Sequence, residues 1–148
     1  MAETPDRIER SIDIATTAER LWELVSEPGW WINDGALRPH RIVPEGHLVL
    51  VEDETHGAFR LRVGPHEAPR RAVFAWVPHG GGGSPTGTGG TTVEFRIEDR
   101  PDGVRLTVVE SGFASLDLPE ERRRRNHAEN TDGWAIELEV ARRSAEAT

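Results

Sequence analysis

The stretch Thr91–Phe113, TTVEFRIEDRPDGVRLTVVESGF, decides how this chain folds. Val93, Phe95 and Ile97 alternate with Thr92, Glu94 and Arg96. That period of two marks a strand with one apolar and one wet face. Pro101-Asp102-Gly103 follows with the residues of a tight hairpin turn. Val104 to Glu110 is the return strand, with Leu106 and Val108 facing the same core. Two antiparallel strands with one wet face each imply a sheet covered on one side only.

The same pattern runs upstream. Arg71 to Val77 places Ala72, Phe74 and Trp76 on one face, and Gly57 to Val63 does so with Phe59, Leu61 and Val63. Arg41 to Val43 and Leu48 to Glu52 are shorter strands around a turn at Glu45-Gly46. Arg7 to Ile14 turns Ile8, Ile12 and Ile14 to one side, with Arg10 as the exception. Thr16-Thr17-Ala18-Glu19 then fits a capping box, in which a Thr hydroxyl and a Glu carboxylate cap each other's backbone N–H groups. Ala18, Leu21, Trp22 and Val25 recur at helical spacing until Pro28-Gly29 ends the helix. Trp30-Trp31-Ile32-Asn33 is expected to form a helical turn near a pocket entrance. On regular structure adjacent residues cannot both face inward; either one of the two Trp rings is exposed, where it would mark a ligand or partner contact, or the pair packs under the loop.

Downstream the period changes. Asp117, Pro119 and Glu120 open a helix. Trp134, Leu138, Ala141 and Ala145 repeat on one face of it, and His127, Asn130 and Thr131 extend that face backward. Gly133 interrupts the middle at about 1 kcal/mol relative to Ala, which predicts a close contact or a break there. The element order is therefore a strand, a helix, six antiparallel strands and a long helix. A sheet with one apolar face needs a cover, and the last helix is long enough to provide it.

The 148 residues suit one domain, residues 1–148. No apolar run approaches the about 20 residues of a membrane-spanning helix, and Met1 to Arg10 has no apolar signal core. The chain has no cysteine, which excludes disulfides and thiolate chemistry and suits a cytoplasmic setting. A net charge of −8 disfavours nucleic acid as a partner. All the basic residues are Arg and there is no Tyr, so Schiff-base lysine and tyrosine acid chemistry are excluded.

Four segments in order resemble a known family. They are IERSIDIATTAERLWELVSEPGWW from Ile8 to Trp31, PRRAVFAW from Pro69 to Trp76, the hairpin from Thr91 to Phe113, and NTDGWAIEL from Asn130 to Leu138. Together they resemble the Activator of Hsp90 ATPase homologue 1-like branch of the START/Bet v 1 (SRPBCC) superfamily. The resemblance implies an α+β helix-grip fold, a curved antiparallel sheet wrapped around a long C-terminal helix with short helices after the first strand. It also implies an internal cavity for a hydrophobic or amphipathic ligand. It supplies no catalytic triad. The function it implies is binding of a small hydrophobic molecule as carrier or sensor. The alternatives are a polyketide cyclase/dehydratase-like enzyme and an Hsp90-type co-chaperone-like interaction module. A homodimer is left open.

The candidate ligand-binding residues are Trp22, Phe59, Phe74, Trp76, Phe95, Phe113, Asn130, Trp134 and Leu138. Each either packs a solid core or lines a cavity, because a curved sheet under a helix leaves a gap unless large side chains fill it. Glu110 and His127 are the candidates for proton transfer; the plainer reading has the polar group of His127, Asn130 and Thr131 capping a helix or reaching solvent. His40, His47, His56, His66 and His79 are scattered over turns, so neither a metal nor another cofactor is expected. The Gly-rich run 80–90 lacks a following Lys and reads as a flexible hairpin loop that could gate the cavity mouth. Arg122 to Arg125 could contact an acidic partner, a membrane surface or RNA, but with Glu120, Glu121 and Glu129 around it the cluster reads as a solvated helix face.

Overall fold

The structure is a computed structural model that describes residues 5–33, 35–77, 90–116 and 118–147. Strand β1 is Arg7–Ile14 and helix α1 is Ala18–Val25. Strands β2 (Arg41–Glu45), β3 (Leu48–Asp53), β4 (Gly57–Val63), β5 (Arg71–Trp76), β6 (Thr92–Arg100) and β7 (Gly103–Ser111) follow. A short 3-10 turn, Phe113–Ser115, leads into helix α2, Glu120–Glu146. Among the described residues the strands form one antiparallel sheet in the order β1-β7-β6-β5-β4-β3-β2. The sheet curves around α2, which is the helix-grip arrangement. β2 lies at one margin, and Pro44 within it stands opposite Val49 of β3. No helix of the described residues is long and apolar enough to cross a membrane. The loop expected over 80–90 lies outside the described residues except for Gly90, and so do His79 and Asp117.

Alternation does what the sequence demands. Leu61, Ala72, Phe74, Val93, Phe95, Leu106 and Val108 are fully buried, while Glu98 and Arg105 sit on the opposite face or at its rim. On α2, Trp134, Leu138 and Ala141 are buried against the sheet. Each of these side chains larger than Ala contributes about 2 kcal/mol by leaving water.

The structure corrects two local expectations and decides a third that the sequence left open. The cap of α1 is Thr17, not Thr16; the Thr17 hydroxyl accepts from the Arg20 N–H at 3.2 Å. Thr16 N–H is already used on Ile14 O at 3.0 Å, a tight turn at the strand end that pushes the helix start one residue on. Glu19 therefore misses the reciprocal position of a capping box. Second, Trp30 and Trp31 are both buried, at 1% and 7% exposure. They lie in a non-repeating turn, closed by Trp30 N–H on Glu27 O and Ile32 N–H on Gly29 O, which frees adjacent side chains from pointing to opposite sides. Third, α2 runs unbroken through Gly133, and an added Cβ there would meet nothing within 4 Å.

The turn that carries the two Trp residues is pinned by a buried ionic cluster. Asp53 accepts from Arg38 Nε at 3.1 Å and from the N–H groups of Thr55 and His56 at 2.9 and 2.8 Å. His40 Nε2 lies 3.1 Å from the same carboxylate and 2.8 Å from Ile32 O. Asp53 thus joins the end of β3 to the segment just after Trp31. Burial pushes the Asp53 carboxyl up, but the His56 N–H, the Arg38 guanidinium and the Thr55 N–H outweigh it and hold it at about 2.

Two predictions follow from this architecture. Gly103 has φ +152°, and a Cβ there would stand 2.1 Å from Ile14 O. Gly103→Ala is expected to lower stability in urea melts by about 2 kcal/mol or more, whereas Gly57→Ala, with open space around it, should lose only about 1 kcal/mol. Asp53 has a folded-state value below its unfolded one. It therefore stabilises the protein at neutral pH, and this contribution disappears as pH falls from about 4 through about 2. Asp53→Asn should reduce stability at pH 7 by roughly 2–3 kcal/mol and flatten the acid limb of the stability curve. Equal acid limbs in the two proteins would contradict this.

Candidate functional site

A half-open cavity of about 180 Å³ lies between the sheet, the Trp turn and the middle of α2. Its walls are Trp31, Ile32, Trp76, Gly133 and Trp134; its polar lining is Asn33, His56, Glu110, Glu129, Asn130 and Glu137. The lining draws on the Trp turn, β5, β7 and α2. Trp76 ends β5, Glu110 sits near the end of β7, and Asn130, Gly133, Trp134 and Glu137 follow one another along one side of α2.

Trp31 occupies the centre. Its ring lies 5.2 Å from Phe74, 5.4 Å from Phe95, 5.8 Å from Trp76 and 6.1 Å from Trp134, centroid to centroid. These tilted and edge-on pairs are favourable aromatic geometries. They also show what the sheet's curvature leaves room for: an aromatic core has claimed most of the volume and a small space remains beside it. Asn33 closes the rim. Its Nδ2 donates to Trp30 O at 2.7 Å and to Glu137 Oε1 at 2.9 Å, and its Oδ1 accepts from Arg38 N–H at 3.1 Å.

Glu110 forms the polar floor at 1% exposure. Its Oε2 accepts from Thr91 Oγ1 at 2.6 Å, and its Oε1 accepts from Trp134 Nε1 at 2.8 Å and Asn130 Nδ2 at 3.1 Å. Burial pushes this carboxyl above the usual carboxylate range, despite the opposing pull of Thr91, Trp134, Asn130 and His127. A buried acid that holds its proton can donate a hydrogen bond as well as accept one. It can also exchange that proton with a group in the cavity.

The structure brings Trp76, Glu110, Asn130 and Trp134 together from the sequence-derived set. Phe59, Phe74, Phe95, Phe113 and Leu138 are buried but lie in the surrounding core, outside the cavity lining. Phe59 packs on Trp76 at 5.8 Å, and Phe95 on Trp134 at 5.7 Å, so they buttress the walls. Trp22 stands apart, edge-on to His66 at 5.7 Å. His66 accepts from Val73 N–H at Nδ1, and burial lowers its pKa, so it is a neutral structural imidazole. His127 is also outside the lining. Its Nε2 lies 2.9 Å from Arg7 O and its ring stands edge-on to Phe113, which ties α2 to β1. Thr131 turns its hydroxyl back to His127 O at 2.7 Å.

Trp31, Ile32 and Asn33, expected near a pocket entrance, are lining residues, and so are His56, Glu129, Gly133 and Glu137, which the sequence reading did not place in the site. A signal existed for part of this group: Asn130, Gly133, Trp134 and Glu137 are spaced i, i+3, i+4 and i+7. Among the described residues no cluster of His, Asp and Glu could hold a metal ion.

Three solved structures show the same architecture. A protein from Mesorhizobium loti is 20% identical, with 93% of this chain and 94% of that chain covered and a TM-score of 0.67. The Aha1 dimer from Colwellia psychrerythraea is 16% identical, with 95% and 96% covered and a TM-score of 0.64. The Zhui aromatase/cyclase from Streptomyces sp. R1128 is 16% identical, with 95% and 93% covered and a TM-score of 0.67. No curated protein matches the sequence. The family model described as Activator of Hsp90 ATPase homolog 1-like protein matches residues 15–139. That match spans the first helix, the sheet from β2 to β7 and most of α2, and the chain belongs to this family.

Proposed function

We propose that the chain, acting as one domain, binds a small amphipathic molecule of one or two fused rings between Trp31, Trp76 and Trp134, as carrier or sensor. The observation that carries this reading is a cavity of about 180 Å³ with indole walls and a buried carboxyl, Glu110, as its floor. A mostly apolar recess with a few convergent polar groups is the usual form of a ligand site. An apolar cavity of about 150 Å³ accepts benzene, whereas pockets for larger molecules begin near 300 Å³. The size therefore favours a ring over a fatty chain. Glu110, Glu129 and Glu137 line the recess against one His56, which favours an uncharged or cationic ligand over a carboxylate. The absence of cysteine supports a cytoplasmic setting. The Colwellia relative is a dimer, and that likeness supports a homodimer here.

Isothermal titration calorimetry with phenol, 2-naphthol, benzoate and hexadecanoate tests the reading. The two phenols are expected to bind with Kd on the order of 100 μM, and benzoate and hexadecanoate at least tenfold more weakly. Glu110→Gln should stay folded and retain 2-naphthol, because a Gln oxygen can accept from Trp134 and Asn130 while its amide donates to Thr91. Glu110→Leu strands those groups and should lose both binding and about 2 kcal/mol or more of stability. A folded wild type that binds neither phenol ends the proposal.

A second reading, proton transfer in the manner of a cyclase, is favoured by one observation: the carboxyl with the raised pKa is itself a lining residue. The protein should then speed deuterium exchange at the central carbon of acetylacetone, followed by NMR, and Glu110→Gln should abolish the acceleration. Exchange at the buffer rate would remove this reading and leave the binding one intact.

A further inference from the structure

Gly133 sits near the middle of α2, a continuous helix of 27 residues. Glycine weakens a helix interior because it gains backbone freedom on unfolding and has no side chain to pack. Three structural reasons ordinarily keep a glycine there. The first is a positive φ, and Gly133 has none. The second is close approach of another backbone or side chain, but a Cβ at Gly133 would meet nothing within 4 Å. The third is a kink or break, and α2 has no break at this point. None of the fold's own demands accounts for the missing side chain.

The place of Gly133 supplies the remaining reason. It lines the cavity between Asn130, Trp134 and Glu137, on the stretch of α2 that forms one wall. The space a side chain would take there belongs to the cavity. We propose that Gly133 is the size-determining position of the ligand site: it holds back a side chain so that a ring can lie flat against the α2 backbone. This rests on the ligand-binding reading above and adds which residue sets the upper limit of ligand size.

The experiment compares wild type, Gly133→Ala and Gly133→Leu by thermal melting and by calorimetric titration with phenol and 2-naphthol. Alanine is the better helix former, so Gly133→Ala should melt about 3 °C higher. It should also bind 2-naphthol at least fivefold more weakly while phenol changes less than twofold. Gly133→Leu should lose both ligands with an unchanged far-UV circular dichroism spectrum. Gly133→Ala that binds 2-naphthol as tightly as wild type overturns the inference and leaves the binding site standing. A Gly133→Ala that melts lower than wild type overturns it too, because the gap would then serve the fold. Wild type that binds neither phenol removes the site and this inference together.

Discussion

The carboxyl of Glu110 gathers three donors from two layers of the molecule. Thr91 comes from the residue just before β6, and Asn130 and Trp134 come from α2. In an apolar interior such a group is tolerated only when its hydrogen bonds are made. Glu110 therefore fixes where along the sheet the helix docks, more sharply than packing alone would. Sliding α2 by one turn would break the two contacts from Asn130 and Trp134, leaving the buried acid with Thr91 alone and an indole N–H without a partner. The register set in this way carries Gly133 and Glu137 to the cavity as well, since they lie on the same stretch of helix.

The cavity exists because the polar floor and the aromatic filling do not quite meet. Phe74, Phe95, Trp31 and Trp134 interlock beneath and beside it. The helix-grip arrangement supplies a concave surface, and the side chains decide how much of it stays empty. Here a Trp from an irregular turn takes the larger share. The Asp53 cluster matters for this reason: by holding His40, Arg38 and Ile32 O together it holds the turn that carries Trp31.

The strands themselves, the β6–β7 hairpin and the inner face of α2 were legible because alternation and helical spacing report directly on which side is buried, whereas the pairing of β1 with β7 was not. The cavity lining was legible mainly where its residues also belong to those patterns, as with Trp76, Trp134, Asn130 and Glu110. The burial of both Trp30 and Trp31 stayed open in the sequence because the alternation rule for regular strands and helices does not govern a turn. Glu137 escaped because an acid on the inner side of a helix looks like a solvent residue until Asn33, over a hundred positions away, is seen to donate to it. The Asp53 cluster left one trace, an Asp followed at two and three positions by Thr55 and His56, whose N–H groups it accepts. The one-residue shift of the α1 cap came from a backbone bond of Thr16 that side-chain identity does not reveal.

Pro44, in the marginal strand β2, has a wider effect than its local geometry suggests. An outermost strand offers unpaired N–H and C=O groups to any passing chain. Proline has no N–H and fixes its own φ, so a foreign strand laid against this border would find the ladder interrupted. Growth of the sheet from copy to copy along that border is thereby discouraged. Self-association, where it occurs, is steered toward other faces.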